Sequence, residues 1–237
     1  PDPLRGPRVP DPLGAARLRR LAARLAGLVF QRHCQACGSR VEEPRLGTLC
    51  GECWGALEAQ PWPLLRFGGL VDPAFDRAVA AFPYQGPLRA LVHAFKFDGH
   101  PSLRRPLGEA LARRCEEARA WGCDAVLPMP LSQASWRERG YDAAGSLAAS
   151  LAQDWGLPLL PALHWARERE RQSALGRAQR LSNAAGALGA SPVPGRRLLL
   201  VDDLLSSGAS AHDAARALKA AGAAFVGVAA LAHAELG

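Results

Sequence analysis

Residues 198–210 read Leu198-Leu199-Leu200-Val201-Asp202-Asp203-Leu204-Leu205-Ser206-Ser207-Gly208-Ala209-Ser210. The four leading apolar residues make a short continuous run of the kind that is buried on both faces of a parallel sheet. Two carboxylates follow at its carboxyl end, and small hydroxyl residues with Gly208 turn the chain toward a helix that begins near Ser210. Each part has a chemical use. Ionised Asp only accepts hydrogen bonds, so Asp202 and Asp203 suit the paired hydroxyls of a ribose. Gly208 and its small neighbours let backbone N–H groups approach a phosphate closely, and the helix adds its positive amino end. The carboxyl edge of a parallel sheet is also where such folds bind ligands. A metal-binding Asp pair in another doubly wound fold is the competing reading. The complete run favours the sugar phosphate.

Outward from this run, short apolar segments alternate with helical patterns. Strands are expected over 78–84, 125–129, 157–163, 197–202 and 224–231, and helices over 88–97, 103–121, 143–155 and 210–221. Such alternation predicts an α/β fold with a largely parallel sheet covered on both faces. Before it, residues 1–14 are rich in Pro and Gly and read as a disordered lead-in. Leu18, Leu21, Leu25 and Leu28 then recur at helical spacing, with Arg17, Arg20 and Arg24 between them, which predicts an amphipathic helix over 15–30. The arginine-dense stretch 167–180 shows no core face and is placed in a loop.

Four of the six cysteines fall in two Cys-x-x-Cys knuckles, Cys34/Cys37 and Cys50/Cys53. That spacing suits four thiolates on one tetrahedral zinc and leaves no position open for substrate, so the metal's role is structural or for docking; disulfides and reduced core thiols are the competing readings. Gly38 and Gly51 suit the tight turns that knuckles need. Cys115 and Cys123 stand apart and read as core residues.

Length and composition bound the rest. The 237 residues are 49% hydrophobic and 22% charged, which excludes a wholly disordered chain. No stretch is long and apolar enough to span a membrane, and no signal peptide is expected; the expected location is the cytoplasm. The formal net charge of +7 is carried by arginine, since only Lys96 and Lys219 are lysines. It fits an anionic partner, a phosphorylated small molecule or nucleic acid, though an arginine-favouring genome accounts for it equally well. The six histidines show no metal-binding spacing among themselves, and Walker A, GxSxG and HExxH patterns are absent.

Several motifs together resemble the competence protein F (ComF) family, in which a zinc ribbon precedes a type I phosphoribosyltransferase-like domain. They are the knuckles, Tyr84-Gln85-Gly86-Pro87-Leu88-Arg89 with Lys96-Phe97, and Leu127-Pro128-Met129-Pro130-Leu131 followed by Arg137-Glu138-Arg139-Gly140-Tyr141. Gln172, Leu175, Arg180, Asn183 and the 198–210 run complete the set. The likeness covers residues 20–235 and implies a ribbon module over 15–60 ahead of a phosphoribosyltransferase-like domain over 70–237. By resemblance, Asp202 and Asp203 contact the ribose diol. Leu204, Leu205, Ser206, Ser207, Gly208, Ala209 and Ser210 bind phosphoribosyl pyrophosphate, with the 5′-phosphate on 206–210, and Lys96 contributes to the same site. Arg139 contacts pyrophosphate, Mg²⁺ enters with the ligand, and Arg167, Arg169 and Arg171 are candidates for a lid. Trp136 is a candidate for stacking on a base. Where the family commonly has Arg, Asn-Gln and Thr, this chain has Ser135, Asp142-Ala143 and Arg169. The implied activity is a phosphoribosyltransferase. The alternative is a non-catalytic competence factor that binds single-stranded DNA or DNA-uptake proteins, with homo-oligomerisation left open.

Overall fold

The computed structural model describes residues 33–41, 49–67, 70–97, 103–166 and 186–235. The first half runs α1 (Gly51–Glu58), β1 (Arg77–Pro83), α2 (Pro87–Phe97), α3 (Arg104–Arg114), a 3₁₀ segment (Glu116–Trp121) and β2 (Ala125–Pro128). It continues with α4 (Gln133–Arg139), α5 (Ala143–Trp155), β3 (Leu163–Trp165), β4 (Leu188–Ala190), β5 (Arg197–Leu205), α6 (Ala209–Ala220) and β6 (Phe225–His233). Four strands form an all-parallel sheet in the order β1-β6-β5-β2, while β3 and β4 make a separate antiparallel ribbon. The parallel sheet with flanking helices, preceded by a four-cysteine cluster, is the architecture the sequence led us to expect.

The two central strands explain the apolar runs. Successive side chains of a strand point to opposite faces, and β5 divides accordingly. Leu199 and Val201 enter a layer built with α2, α3 and α5, whereas Leu198 and Leu200 enter one built with α6 and the ribbon. Every residue of β6 is buried. Gly227 in β6 admits the Trp121 ring, which lies where a Cβ would sit; an added methyl would come within 2.5 Å of Trp121 Cε3.

Several boundaries differ from expectation. Both β5 and β6 run past their predicted ends because they pair with each other there, Leu204 opposite Ala232 and Leu205 opposite His233. The segment 157–163 gives the parallel sheet only a single bridge, Leu159 to Val126, and its last residue, Leu163, opens the antiparallel ribbon instead. Pro158 and Pro161 interrupt the segment, and proline cannot donate to a ladder. The expected helix over 103–121 is two pieces joined at Cys115, and the second carries Trp121 to Gly227. Helices α1 and α4 and strand β4 were not foreseen, being short and weakly patterned. The lead-in 1–14, the amphipathic helix over 15–30 and the stretch 167–180 lie outside the described residues.

The cysteine-bearing segment is packed into the sheet's own core. Cys34, Leu49 and Leu57 are buried in the same apolar layer as Leu88, Leu91 and Phe95 of α2 and Leu107 and Leu111 of α3. Arg114 fastens the junction. Its guanidinium is buried, donates to the carbonyls of Ala81, Glu58 and Gln60, and is sandwiched by Trp62 and Phe82 with ring centroids at 4.2 and 4.6 Å. Arg114→Met removes the donors and leaves the buried Ala81 carbonyl unpaired, a loss costing about 1–3 kcal/mol, with smaller losses at the part-buried Glu58 and Gln60 carbonyls. We expect urea unfolding to show a loss of roughly 3 kcal/mol in total. Arg113→Ala, which removes an exposed ion pair with Glu58, should change stability by less than about 1 kcal/mol.

Candidate functional site

At the carboxyl end of the sheet lies a cavity of about 310 Å³. Asp202 and Asp203 of β5 form part of its lining, and the loop after β2 supplies Met129 and Pro130. The helices that follow these strands present their first residues to it. Ser132 and Ser135 begin α4, Asp142, Ala143 and Ala144 begin α5, and Ser210 begins α6. Helix amino ends carry unsatisfied N–H groups and a positive partial charge, so their convergence favours anions. Trp165 of β3 closes one wall and donates its indole N–H to the Pro130 carbonyl at 3.0 Å.

The acids are held by local structure. Asp202 Oδ1 accepts the Asp203 N–H at 2.8 Å, and Asp203 Oδ1 lies 2.8 Å from Lys96 Nζ. Lys96 arrives from the last turn of α2 and is itself nearly enclosed. Burial, reinforced by the neighbouring Asp203 charge, pushes the Asp202 carboxyl well above the usual range, against the pull of Lys96. Asp142 caps α5 by accepting the Gly145 N–H at 2.8 Å, and burial raises its carboxyl too, with Asp203 adding to the effect. Glu138, an exposed residue, also borders the cavity, so four carboxylates and Arg139 line it together with the three helix ends.

The turn 206–208 is backed by the connector that precedes β1. Gly208 has φ +76°, caps α6, and lies against Phe67 and Leu70; a Cβ there would meet Phe67 Cδ1 at 2.9 Å and Leu70 Cδ2 at 3.0 Å. Glycine is thus required both by conformation and by the connector's approach. Two histidines hold this connector. The Arg66 N–H donates to His233 Nε2 at 3.2 Å, while His233 Nδ1 lies 3.0 Å from the Leu205 carbonyl. Accepting at Nε2 requires the neutral ring with its proton on Nδ1, and burial lowers the His233 pKa in agreement. The Ala74 N–H donates to His212 Nδ1 at 3.1 Å.

The four cysteines meet at the start of α1. Their Sγ atoms all lie within 4.8 Å of one another. A hairpin pinned by the His33–Arg40 bridge presents Cys34 and Cys37, with Gly38 in the left-handed region at φ +74°. Cys50 caps α1 and accepts the Cys53 N–H, so the second knuckle is a helix start and Gly51 its first residue. Hydrogen bonds from the Ser39 side chain and backbone hold the exposed Cys37 thiol down at about 6. Soft sulfur donors in this arrangement can hold one zinc.

Of the expected sugar-phosphate residues, Asp202, Asp203, Arg139 and Ser210 line the cavity, and Lys96 reaches it through Asp203. Leu204 packs against one apolar layer and Leu205 is buried in the other. Ser206, Ser207, Gly208 and Ala209 form the turn and the first residue of α6. Trp136 is exposed on α4. Arg167, Arg169, Arg171, Gln172, Leu175, Arg180 and Asn183 lie outside the described residues. Sequence reading missed Ser132 and Asp142 as caps, although each follows the strand–turn pattern that announces a helix start. Nothing local announces Trp165.

No family model matches the chain. Among curated proteins it is 26% identical over 200 residues to competence protein F of Haemophilus influenzae, covering 80% of this chain and 85% of that one. It is 28% identical over 204 residues to the DNA utilization protein YhgH of Salmonella typhimurium, covering 82% and 81%. The motif-level resemblance is therefore matched by relatives across most of both chains. Similar solved structures include an allosteric regulatory enzyme of purine biosynthesis (24% identity, TM-score 0.41) and the Bacillus subtilis glutamine phosphoribosylpyrophosphate amidotransferase (24%, TM-score 0.40). The matched region is 59% and 58% of this chain and 30% of each of those, so this chain spans less than a third of their length.

Gly208→Ala combines left-handed strain with overpacking against Phe67, which together cost about 2–4 kcal/mol. Thermal unfolding should show that loss. Adding Phe67→Ala should restore part of it, giving a double-mutant cycle with a clear coupling energy.

Proposed function

We propose that this chain binds phosphoribosyl pyrophosphate together with Mg²⁺ and transfers or recognises its phosphoribosyl group. The observation that carries the reading is the convergence of an adjacent acid pair and three helix amino ends on one cavity. The acid pair accepts hydrogen bonds from a ribose diol. The N–H groups of 206–210 and the α6 amino end take the 5′-phosphate, while Arg139 takes the second anionic group. In transfer, an acceptor nitrogen forms a bond to ribose C1 as the C1–oxygen bond to pyrophosphate breaks and its electron pair leaves with pyrophosphate. Positioning and charge stabilisation suffice for such a step, with no covalent nucleophile.

The donor set agrees with Mg²⁺. Asp202, Asp203 and Asp142 offer hard oxygen ligands, and no carboxylate cluster among the described residues forms a cage on its own. This suits a cation held partly by substrate oxygens. When bound, Mg²⁺ supplies neutralisation of the leaving pyrophosphate. The four cysteines would hold zinc, whose role in a closed sulfur site is structural.

The names of the relatives support a link to DNA uptake or utilization. They also favour a second reading, an accessory factor that binds single-stranded DNA or DNA-processing proteins. Filter binding separates it: direct contact requires affinity for single strands that falls steeply with salt.

Calorimetry with phosphoribosyl pyrophosphate and Mg²⁺ should show saturable binding that falls on the order of 100-fold or more in the Asp202→Ala, Asp203→Ala double variant. Equal binding by both proteins sinks the reading. Elemental analysis should find about one zinc per chain, and Cys50→Ser should lose it together with several degrees of thermal stability.

A further inference from the structure

Asp213 lies on α6 one turn beyond Ser210, on the same face of the helix. It is 2% exposed and outside the cavity lining, yet its carboxylate is fully engaged. Oδ1 accepts the Gly186 N–H at 2.8 Å and a bond from the Arg216 guanidinium at 2.9 Å, and Oδ2 accepts the Leu188 N–H at 3.1 Å. Leu188 is the first residue of β4, and its partner across the ribbon is Trp165. Trp165 is the residue that walls the cavity and bonds to the Pro130 carbonyl. One helix therefore sets two sides of the cavity, directly through Ser210 and indirectly through Asp213, Leu188 and Trp165.

We infer that Asp213 is a positioning residue: by clamping the first residues of β4 to α6, it fixes the Trp165 wall relative to Asp202 and Asp203, and so sets the width of the ligand cavity. The ribbon needs such a clamp. It has two strands of three residues each, too few to hold a register alone. Its pairing extends by single bonds only, Ala166 N–H to Ala187 and Ser191 N–H to Ala162. A buried carboxylate that accepts two backbone N–H groups is geometrically exacting, since both oxygens must stay in the plane of their donors. The inference rests on the proposed ligand for its affinity consequence, but the placement of Trp165 can be read without any ligand.

Asp213→Asn keeps the size of the side chain and one acceptor, while its NH₂ group faces a backbone donor. At a temperature well below unfolding, hydrogen-exchange mass spectrometry should show faster exchange over 186–190. The Trp165 indole N–H resonance should shift and exchange faster. Calorimetry should show affinity for phosphoribosyl pyrophosphate with Mg²⁺ reduced on the order of tenfold. Arg216→Gln, which leaves both backbone bonds in place, should bind as wild type. If Asp213→Asn does not fold, Asp213→Glu moves the carboxylate by one methylene and should give the same readings. An unchanged Trp165 resonance, or faster exchange with unaltered affinity, overturns the inference. Wild-type protein that binds no phosphoribosyl pyrophosphate overturns the proposed function instead, and the exchange and indole readings then decide the clamp on their own.

Discussion

Two adjacent carboxylates within a strand of a sheet covered on both faces are costly to keep there, because taking a charge from water costs several kcal/mol even after relaxation. The fold meets that cost from three directions. Lys96 pairs with Asp203 at 2.8 Å, the backbone of Asp203 donates to Asp202, and the amino ends of three helices face the same cavity. What remains uncompensated appears as the raised carboxyl of Asp202. A structure with no use for these acids would gain by replacing them with apolar residues of similar volume. Their retention in a cavity, beside so many anion-favouring dipoles, is the physical reason to regard the carboxyl edge of this sheet as a binding site.

The same ion pair ties the acids to the layer that holds the cysteine-bearing segment. Lys96 stands at the end of α2, and Leu88, Leu91 and Phe95 of that helix lie in the layer that also buries Leu57, Leu49 and Cys34. Arg114 joins α1 to β1 by a separate route. The cysteine-bearing segment and the helix that carries the counter-ion therefore share one packed layer.

How far the sequence could be read follows from the range of each signal. The apolar run of β5, the knuckle spacing and the periodicities of α2, α5 and α6 are each written within a dozen residues, and all are found close to where they were expected. Strand ends were less legible: β5 continues past its acids to Leu205 only because β6 lies beside it, and polar residues would otherwise mark an end. The proline-broken segment around Leu159 shows the opposite failure. Its apolar content is that of a strand, while its backbone donors are too few for one.

The chain alone determined the class of fold, the four clustered sulfurs and the pair of acids that follows an apolar run, because these depend on spacing along a few consecutive residues. Only the tertiary structure decided what faces those acids. The strand order β1-β6-β5-β2 places next to one another segments that are distant in the chain. It brings Lys96 to Asp203, lays Phe67 and Leu70 against Gly208, and ties Trp165 through Leu188 to Asp213. No local pattern encodes those encounters, since each depends on how the helices pack once the sheet has ordered its strands.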